Sequence, residues 1–183
     1  MRLLLFLLVF PLLAGCAPGR DLPNLGSETP AEFRLGPGDT VRLITYGEDQ
    51  LTGEFRVGDS GIIAVPLLGS VHAGGLTPAE LEHAVADAFT KSNLLQEPSV
   101  SAEVIAYRPV FVLGEVNKPG QYPYLPGMTV VTAAAVAGGF TYRAVEDYVS
   151  VTRTTNGRSI EGKATRHDYV QPGDVITVFE RHF

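Results

Sequence analysis

An unbroken apolar run from Leu3 to Leu13 follows the single positive charge of Arg2 and stops at Ala14-Gly15-Cys16. Beyond it, the apolar and polar positions fall into the shorter periods of strands and helices. Thr40 to Tyr46 reads as a strand, launched by the tight turn Leu35-Gly36-Pro37-Gly38-Asp39. Phe55-Arg56-Val57, the turn Gly58-Asp59-Ser60-Gly61 and the apolar Ile62 to Val65 read as a hairpin. Thr77-Pro78-Ala79-Glu80 places Thr at an N-cap, Pro at the first helical position and Glu three residues on, which completes a capping box. The helix it opens carries Leu81, Ala84, Val85, Ala88 and Phe89 on one stripe, with Glu82, His83, Asp87 and Lys91 largely outside it. Val100, Ala102, Val104 and Ala106 then alternate as a half-buried strand, and the first unit ends near Tyr107.

A second unit opens with Val110 to Leu113 and turns through Asn117-Lys118-Pro119-Gly120 into Gln121 to Tyr124, another hairpin. Thr129 caps a short alanine-rich helix to Ala137, and Gly138-Gly139 supplies its positive-φ stop. Tyr148 to Thr152 and Ser159 to Ala164 flank Asn156-Gly157, the dipeptide suited to a type I′ turn. Pro172-Gly173-Asp174 launches Val175 to Phe179. The order hairpin, helix, further strands is β-grasp-like, with one helix covering one face of a mixed sheet, so both units are α+β. Pro-Gly-Asp precedes an apolar strand twice, at Pro37 and Pro172; the flanking sequence marks shared turn chemistry rather than duplication.

The N-terminal pattern is that of a bacterial lipoprotein signal: residues 1–15 form the signal peptide, and cleavage leaves Cys16 as the mature N-terminus, its thiol available for a diacylglyceryl thioether. The run is well short of the roughly 20 apolar residues a spanning helix needs. Cys16 is the only cysteine, so it can form no intramolecular disulfide. Three acyl chains hold permanently where one is marginal, because each buried methylene contributes about 0.8 kcal/mol. Ala17, rather than Asp, follows the cysteine and favours the outer membrane. Residues 16–31 have no hydrophobic period and read as a lipidated flexible tether. No later apolar stretch is long enough to cross a bilayer as a helix, and the strands are shorter than the roughly 9–11 alternating residues of a membrane barrel. The mature chain is therefore expected in the periplasm, tethered by its lipid.

Charge argues against nucleic acid. The chain carries 14 Lys and Arg against 20 Asp and Glu, a net charge of −6, and its basic residues are scattered singly except around Arg153 to Arg166, which reads as a solvated hairpin. Metal and cofactor chemistry find no motif. The histidines His72, His83, His167 and His182 lack ligand spacing and have no second cysteine to join them. His167-Asp168 has no Gly-x-Ser-x-Gly elbow to serve. Gly74-Gly75 and Gly138-Gly139 match neither phosphate-binding pattern. Glu48-Asp49 and Glu146-Asp147 are sequence neighbours, poor candidates for flanking one glycosidic bond. No catalytic residue is assigned. Tyr107, Tyr122, Tyr124, Tyr142 and Tyr148 are aromatics for packing, with some available for a sugar-contacting or subunit surface.

Two long stretches carry a family likeness. Phe33-Arg34-Leu35-Gly36-Pro37-Gly38-Asp39, Tyr46-Gly47-Glu48, Gly53-Glu54-Phe55-Arg56-Val57, Asp59-x-Gly61, Val65-Pro66-Leu67-Leu68-Gly69 and Gly75-Leu76-Thr77-x-x-Glu80 resemble the export domain of the outer-membrane polysaccharide export (Wza-type) family. Arg108 to Val116, Lys118-Pro119-Gly120-Gln121-Tyr122, Ala137-Gly138-Gly139-Phe140 and Pro172-Gly173-Asp174-Val175-Ile176 resemble the soluble-ligand-binding β-grasp (SLBB) domain that follows it. The resemblance divides the mature chain into an export domain, 32–107, and an SLBB domain, 108–183.

It implies a non-enzymatic, lipid-anchored outer-membrane component that passes capsular polysaccharide or exopolysaccharide from the periplasm to the surface. It also implies a homo-oligomeric ring and, as partner, an inner-membrane polysaccharide copolymerase, often linked to a tyrosine kinase. Full-length pores of the family carry further β-grasp repeats and a C-terminal amphipathic helix. With the chain ending at Phe183, the expectation is a short form that makes a periplasmic collar beneath a separate outer-membrane pore protein. Two competing readings are a monomeric periplasmic lipoprotein that binds a glycan or small ligand, and a polysaccharide hydrolase or lyase.

Overall fold

The computed structural model describes residues 18–27, 29–155 and 157–181. Cys16, Asn156 and His182 lie outside the described residues, and with them the expected lipidation site and half of the expected Asn-Gly turn.

The first domain is built on a three-stranded antiparallel sheet in which β1 (Thr40–Thr45) lies between β2 (Gly53–Arg56) and β5 (Val100–Ala106). Val41 and Leu43 point from β1 into the core while Arg42 and Ile44 face outward, the period-two alternation of a half-buried strand. The helix α1 (Pro78–Lys91) covers the inner face with Leu81, Val85 and Phe89, all fully buried. Each such side chain stabilises the packing by about 1.5–3 kcal/mol. The capping box forms as the sequence dictates: the Thr77 side chain accepts from Glu80 N–H, and the Glu80 carboxylate accepts from Thr77 N–H.

One expected pairing does not form. β3 (Ile62–Val65) pairs with β4 (Gly69–His72) rather than with the Phe55–Val57 segment. Val57 stays beside β1 instead, where its N–H donates to Asp39 O and its carbonyl accepts from Gly38 N–H. The Gly58–Gly61 turn therefore redirects the chain into a separate hairpin whose tip is Pro66-Leu67-Leu68.

The second domain has a five-stranded sheet in the order β7-β6-β10-β8-β9, from β6 (Val110–Gly114), β7 (Gly120–Tyr122), β8 (Tyr148–Thr155), β9 (Arg158–Thr165) and β10 (Val175–Val178). β10 runs parallel to β6 and antiparallel to β8, giving the mixed sheet expected of a β-grasp-like unit. The helix α2 (Val130–Val136), capped at Thr129, packs Val130, Ala133 and Ala134 into a core shared with Val110, Val112, Val149, Val151, Ile176 and Val178. Among the described residues no helix is long and apolar enough to cross a membrane.

Part of the segment read as a flexible tether is held against this domain. Leu25 N–H donates to Lys163 O at 2.8 Å, and Lys163 N–H donates to Pro23 O at 2.7 Å. The chain thus lies parallel to β9, with Asn24 bridged to Lys163, while Tyr169 N–H donates to Ser27 O. Leu25 packs on the second core, and Tyr148 OH donates to Pro18 O at 2.9 Å. An open sheet edge is a row of unpaired backbone groups, and this strap satisfies part of it. Backbone pairing of this kind needs no apolar period in the pairing segment, which is why the sequence pattern does not reveal it.

Candidate functional site

The two Pro-Gly-Asp turns meet at the junction between the domains. Each folds its aspartate back on the residue three before it: Asp39 Oδ2 accepts from Gly36 N–H at 2.8 Å, and Asp174 Oδ2 from Gln171 N–H at 2.7 Å. Both carboxylates are fully buried, and each has an arginine. Arg153 binds Asp174 through two parallel bonds, Nε to Oδ1 at 2.9 Å and Nη2 to Oδ2 at 2.7 Å, within the second domain. Arg108, at the start of the second domain, reaches back to the first. Its N–H donates to Asp39 Oδ1 at 2.6 Å and its Nη1 to Asp39 Oδ2 at 2.5 Å. Charge-assisted pairs of this kind are stronger than neutral hydrogen bonds and fix geometry as well as energy.

Arg108 lies between the two turns. A Cβ at Gly36 would stand 2.7 Å from its Nη1, and one at Gly173 would stand 3.0 Å from its Nε. Glycine at both positions gives the guanidinium its room, and the turns clasp it. The Gly173 N–H also donates to Pro109 O, and Phe111 N–H to Asp174 O, so the second turn is tied to the incoming chain. An aromatic row continues the joint: Phe33 meets Tyr107 edge-on at 4.9 Å between ring centroids, and Tyr107 meets Tyr124 at 5.5 Å. Burial pushes the Tyr124 phenol above its ordinary pKa, with a smaller contribution from Tyr107 and Asp174.

A cleft of ≈ 690 Å³ opens beside this joint. The first domain lines it with Phe33, Arg34, Asp59, Ser60 and His72, and the second with Tyr124, Arg153, Thr154, Tyr169 and Gln171. The volume is that of a small-molecule or oligosaccharide site, and its walls mix rings with hydrogen-bonding groups. Its arginines are already engaged, Arg34 with Glu32 and Glu80, Arg108 with Asp39 and Arg153 with Asp174. Beyond these pairs the surface presents hydroxyls, an amide, rings, the His72 imidazole and the exposed Asp59 carboxylate, and suits polar ligands better than polyanions.

The residues weighed for chemistry are dispersed. His72 lies at the cleft, His83 is exposed on α1, and His167 is exposed in a turn where Asp168 accepts from Thr165 N–H. Glu48, Asp49, Glu146 and Asp147 are all exposed. No group of three metal-ligating side chains assembles among the described residues. Tyr142 projects freely, and Tyr122 OH donates to Lys118 O. Sequence reasoning paired neither Asp39 with Arg108 nor Asp174 with Arg153; the repeated Pro-Gly-Asp was the signal that could have directed attention to both carboxylates.

Residues 27–105 match the family model described as polysaccharide biosynthesis/export protein, and residues 109–163 match that of the SLBB domain. The chain is 36% identical over 120 residues to the exopolysaccharide production protein ExoF of Rhizobium meliloti (strain 1021), covering 59% of this chain and 28% of that protein. It is 26% identical over 180 residues to the EPS I polysaccharide export outer membrane protein EpsA of Ralstonia solanacearum, covering 83% and 46%. To the polysialic acid transport protein KpsD of Escherichia coli it is 26% identical over 110 residues, covering 59% and 20%. The chain thus spans less than half the length of each of these curated relatives. Their names describe production, export and transport of polysaccharide. With its two domains in the order of the two family models, the chain belongs to the polysaccharide export family, an α+β export domain followed by an SLBB domain.

Proposed function

We propose that this protein is an outer-membrane lipoprotein of a capsular polysaccharide or exopolysaccharide export machine, and that copies of it form a periplasmic ring or collar of the translocation conduit. One observation carries the reading: the export and SLBB domains are joined by a buried ion pair, Asp39 with Arg108, clasped between two glycine turns. A conduit wall needs its domains held at one angle in every copy, and a joint of this kind supplies that. The Leu-Ala-Gly-Cys sequence ending at Cys16 supplies the anchor, and the name of EpsA supports the outer membrane. The polymer moves without bond chemistry. An inner-membrane polysaccharide copolymerase, which in the family is often linked to a tyrosine kinase, delivers it.

Cys16→Ser tests the reading directly. It should release the protein to the soluble periplasmic fraction and abolish surface polymer; normal polymer on cells carrying the released protein would contradict it. The cleft favours a second reading, a monomeric ligand-binding lipoprotein whose ligand sits between the domains. That reading predicts glycan binding by isolated protomers and no assembly.

A further inference from the structure

The strap along β9 fixes where the lipid must leave the protein. Tyr148 OH holds Pro18 O, and Gly19 lies so close to the Phe179 ring that a Cβ there would stand within 2.3 Å of it. Cys16 precedes Pro18 by two residues, and two extended residues span at most about 7 Å. A lipid carried on Cys16 would be joined to Pro18, and so to the Phe179 end of the second domain, by no more than that length of chain. β10 reaches this end as it runs from the junction at Asp174 towards Phe179, whereas β1 runs from the same junction towards Tyr46 in the other domain.

The same end carries an exposed aromatic. Val145 N–H donates to Phe179 O, Ala144 is bridged to Glu180, and Arg181 N–H donates to Arg143 O at 2.7 Å. These contacts place the loop containing Tyr142, 87% exposed, beside Phe179. Arg143 pairs with Glu180 and Arg181 Nη2 donates to Ala144 O, so beside the exposed carboxylates Glu146 and Asp147 the patch is mixed in charge, and its free element is the Tyr142 ring, an amphipathic group of the kind that settles in a headgroup layer.

We infer that the Phe179 end of the second domain, with Tyr142, Arg143 and Arg181, is a surface that lies against the phospholipid bilayer, set there by the strap rather than by a loose tether. The inference rests on acylation of Cys16. The export domain is then the part held away from the membrane.

The chain contains no tryptophan, so single reporters are clean. Full-length lipidated protein carrying Tyr142→Trp, or Tyr46→Trp as the distant control, is reconstituted into phosphatidylethanolamine–phosphatidylglycerol vesicles with brominated acyl chains. The Tyr142→Trp reporter should lose most of its emission and the Tyr46→Trp reporter almost none. A Cβ at Gly162 would stand 2.6 Å from Leu25 Cβ and 2.7 Å from Pro23 O, so Gly162→Val evicts the strap; Leu25→Ser is a milder second release. In either background the protein should still float with the vesicles, and the contrast between reporters should vanish. Floating protein with equal or reversed quenching would overturn the orientation alone, as would a contrast that survives both release variants. Protein that does not float would remove the anchor itself, and the inference with it.

Discussion

Asp39 and Arg108, 69 residues apart in sequence, meet through two short hydrogen bonds at the boundary between the domains. The carboxylate is fully buried while the arginine side chain remains 24% exposed. Truncating one partner of a buried pair strands the other, at a cost of about 3–5 kcal/mol; the exposure of Arg108 puts this pair near the lower figure. Asp39→Ala and Arg108→Ala should each destabilise the protein by roughly 3 kcal/mol in chemical denaturation. The double variant should cost clearly less than the sum, since the two side chains share one interaction. Additive losses would show that the joint is not held by this pair.

Glu80 makes helix α1 sensitive to acid. Its carboxyl is held below the ordinary value of 4.5, chiefly by the Thr77 backbone N–H and further by Arg34. A carboxyl depressed in the folded state contributes stability above its unfolded pKa and loses it as pH falls through the folded value. Melting temperature should therefore fall below about pH 4.5 more steeply in the natural protein than in Glu80→Gln, whose amide keeps the capping bond without titrating. Parallel acid profiles would remove Glu80 from the account.

Leu67 sits at the tip of the β3–β4 hairpin with φ 63°, a left-handed conformation, and its side chain is 77% exposed. That conformation costs a residue with a Cβ roughly 1–2 kcal/mol, part of which a glycine returns through the entropy it loses on folding. Leu67→Gly should stabilise the domain by up to about 1 kcal/mol in thermal denaturation. A loss of stability would mean that the leucine side chain makes a contact that outweighs its backbone strain.

Legibility in the sequence follows the range of the interaction. The Thr77 and Thr129 caps, the α1 stripe and the β6–β7 and β8–β9 pairs are local, and residue type at fixed spacing reveals them. The partner of Ile62–Val65 does not follow from the sequence, because a four-residue Gly-Asp-Ser-Gly turn permits a hairpin without requiring one, and β1 competes for the preceding segment. The strap is not legible in the sequence because it is held mainly by backbone bonds to Lys163 and Tyr169, which leave no apolar period. The two turn aspartates were visible as a repeat, but burial and an arginine partner are properties of the assembled core.

The central claim is that copies of this chain assemble as a wall around polysaccharide in transit. The native mass of the full-length, lipidated protein, extracted in mild detergent and measured across a range of concentrations, tests it most directly. A single closed species at an integral multiple of the protomer mass is the result this account predicts. A protomer mass at every concentration would contradict it, and would leave the cleft beside Arg108 as the basis for a ligand-binding lipoprotein instead.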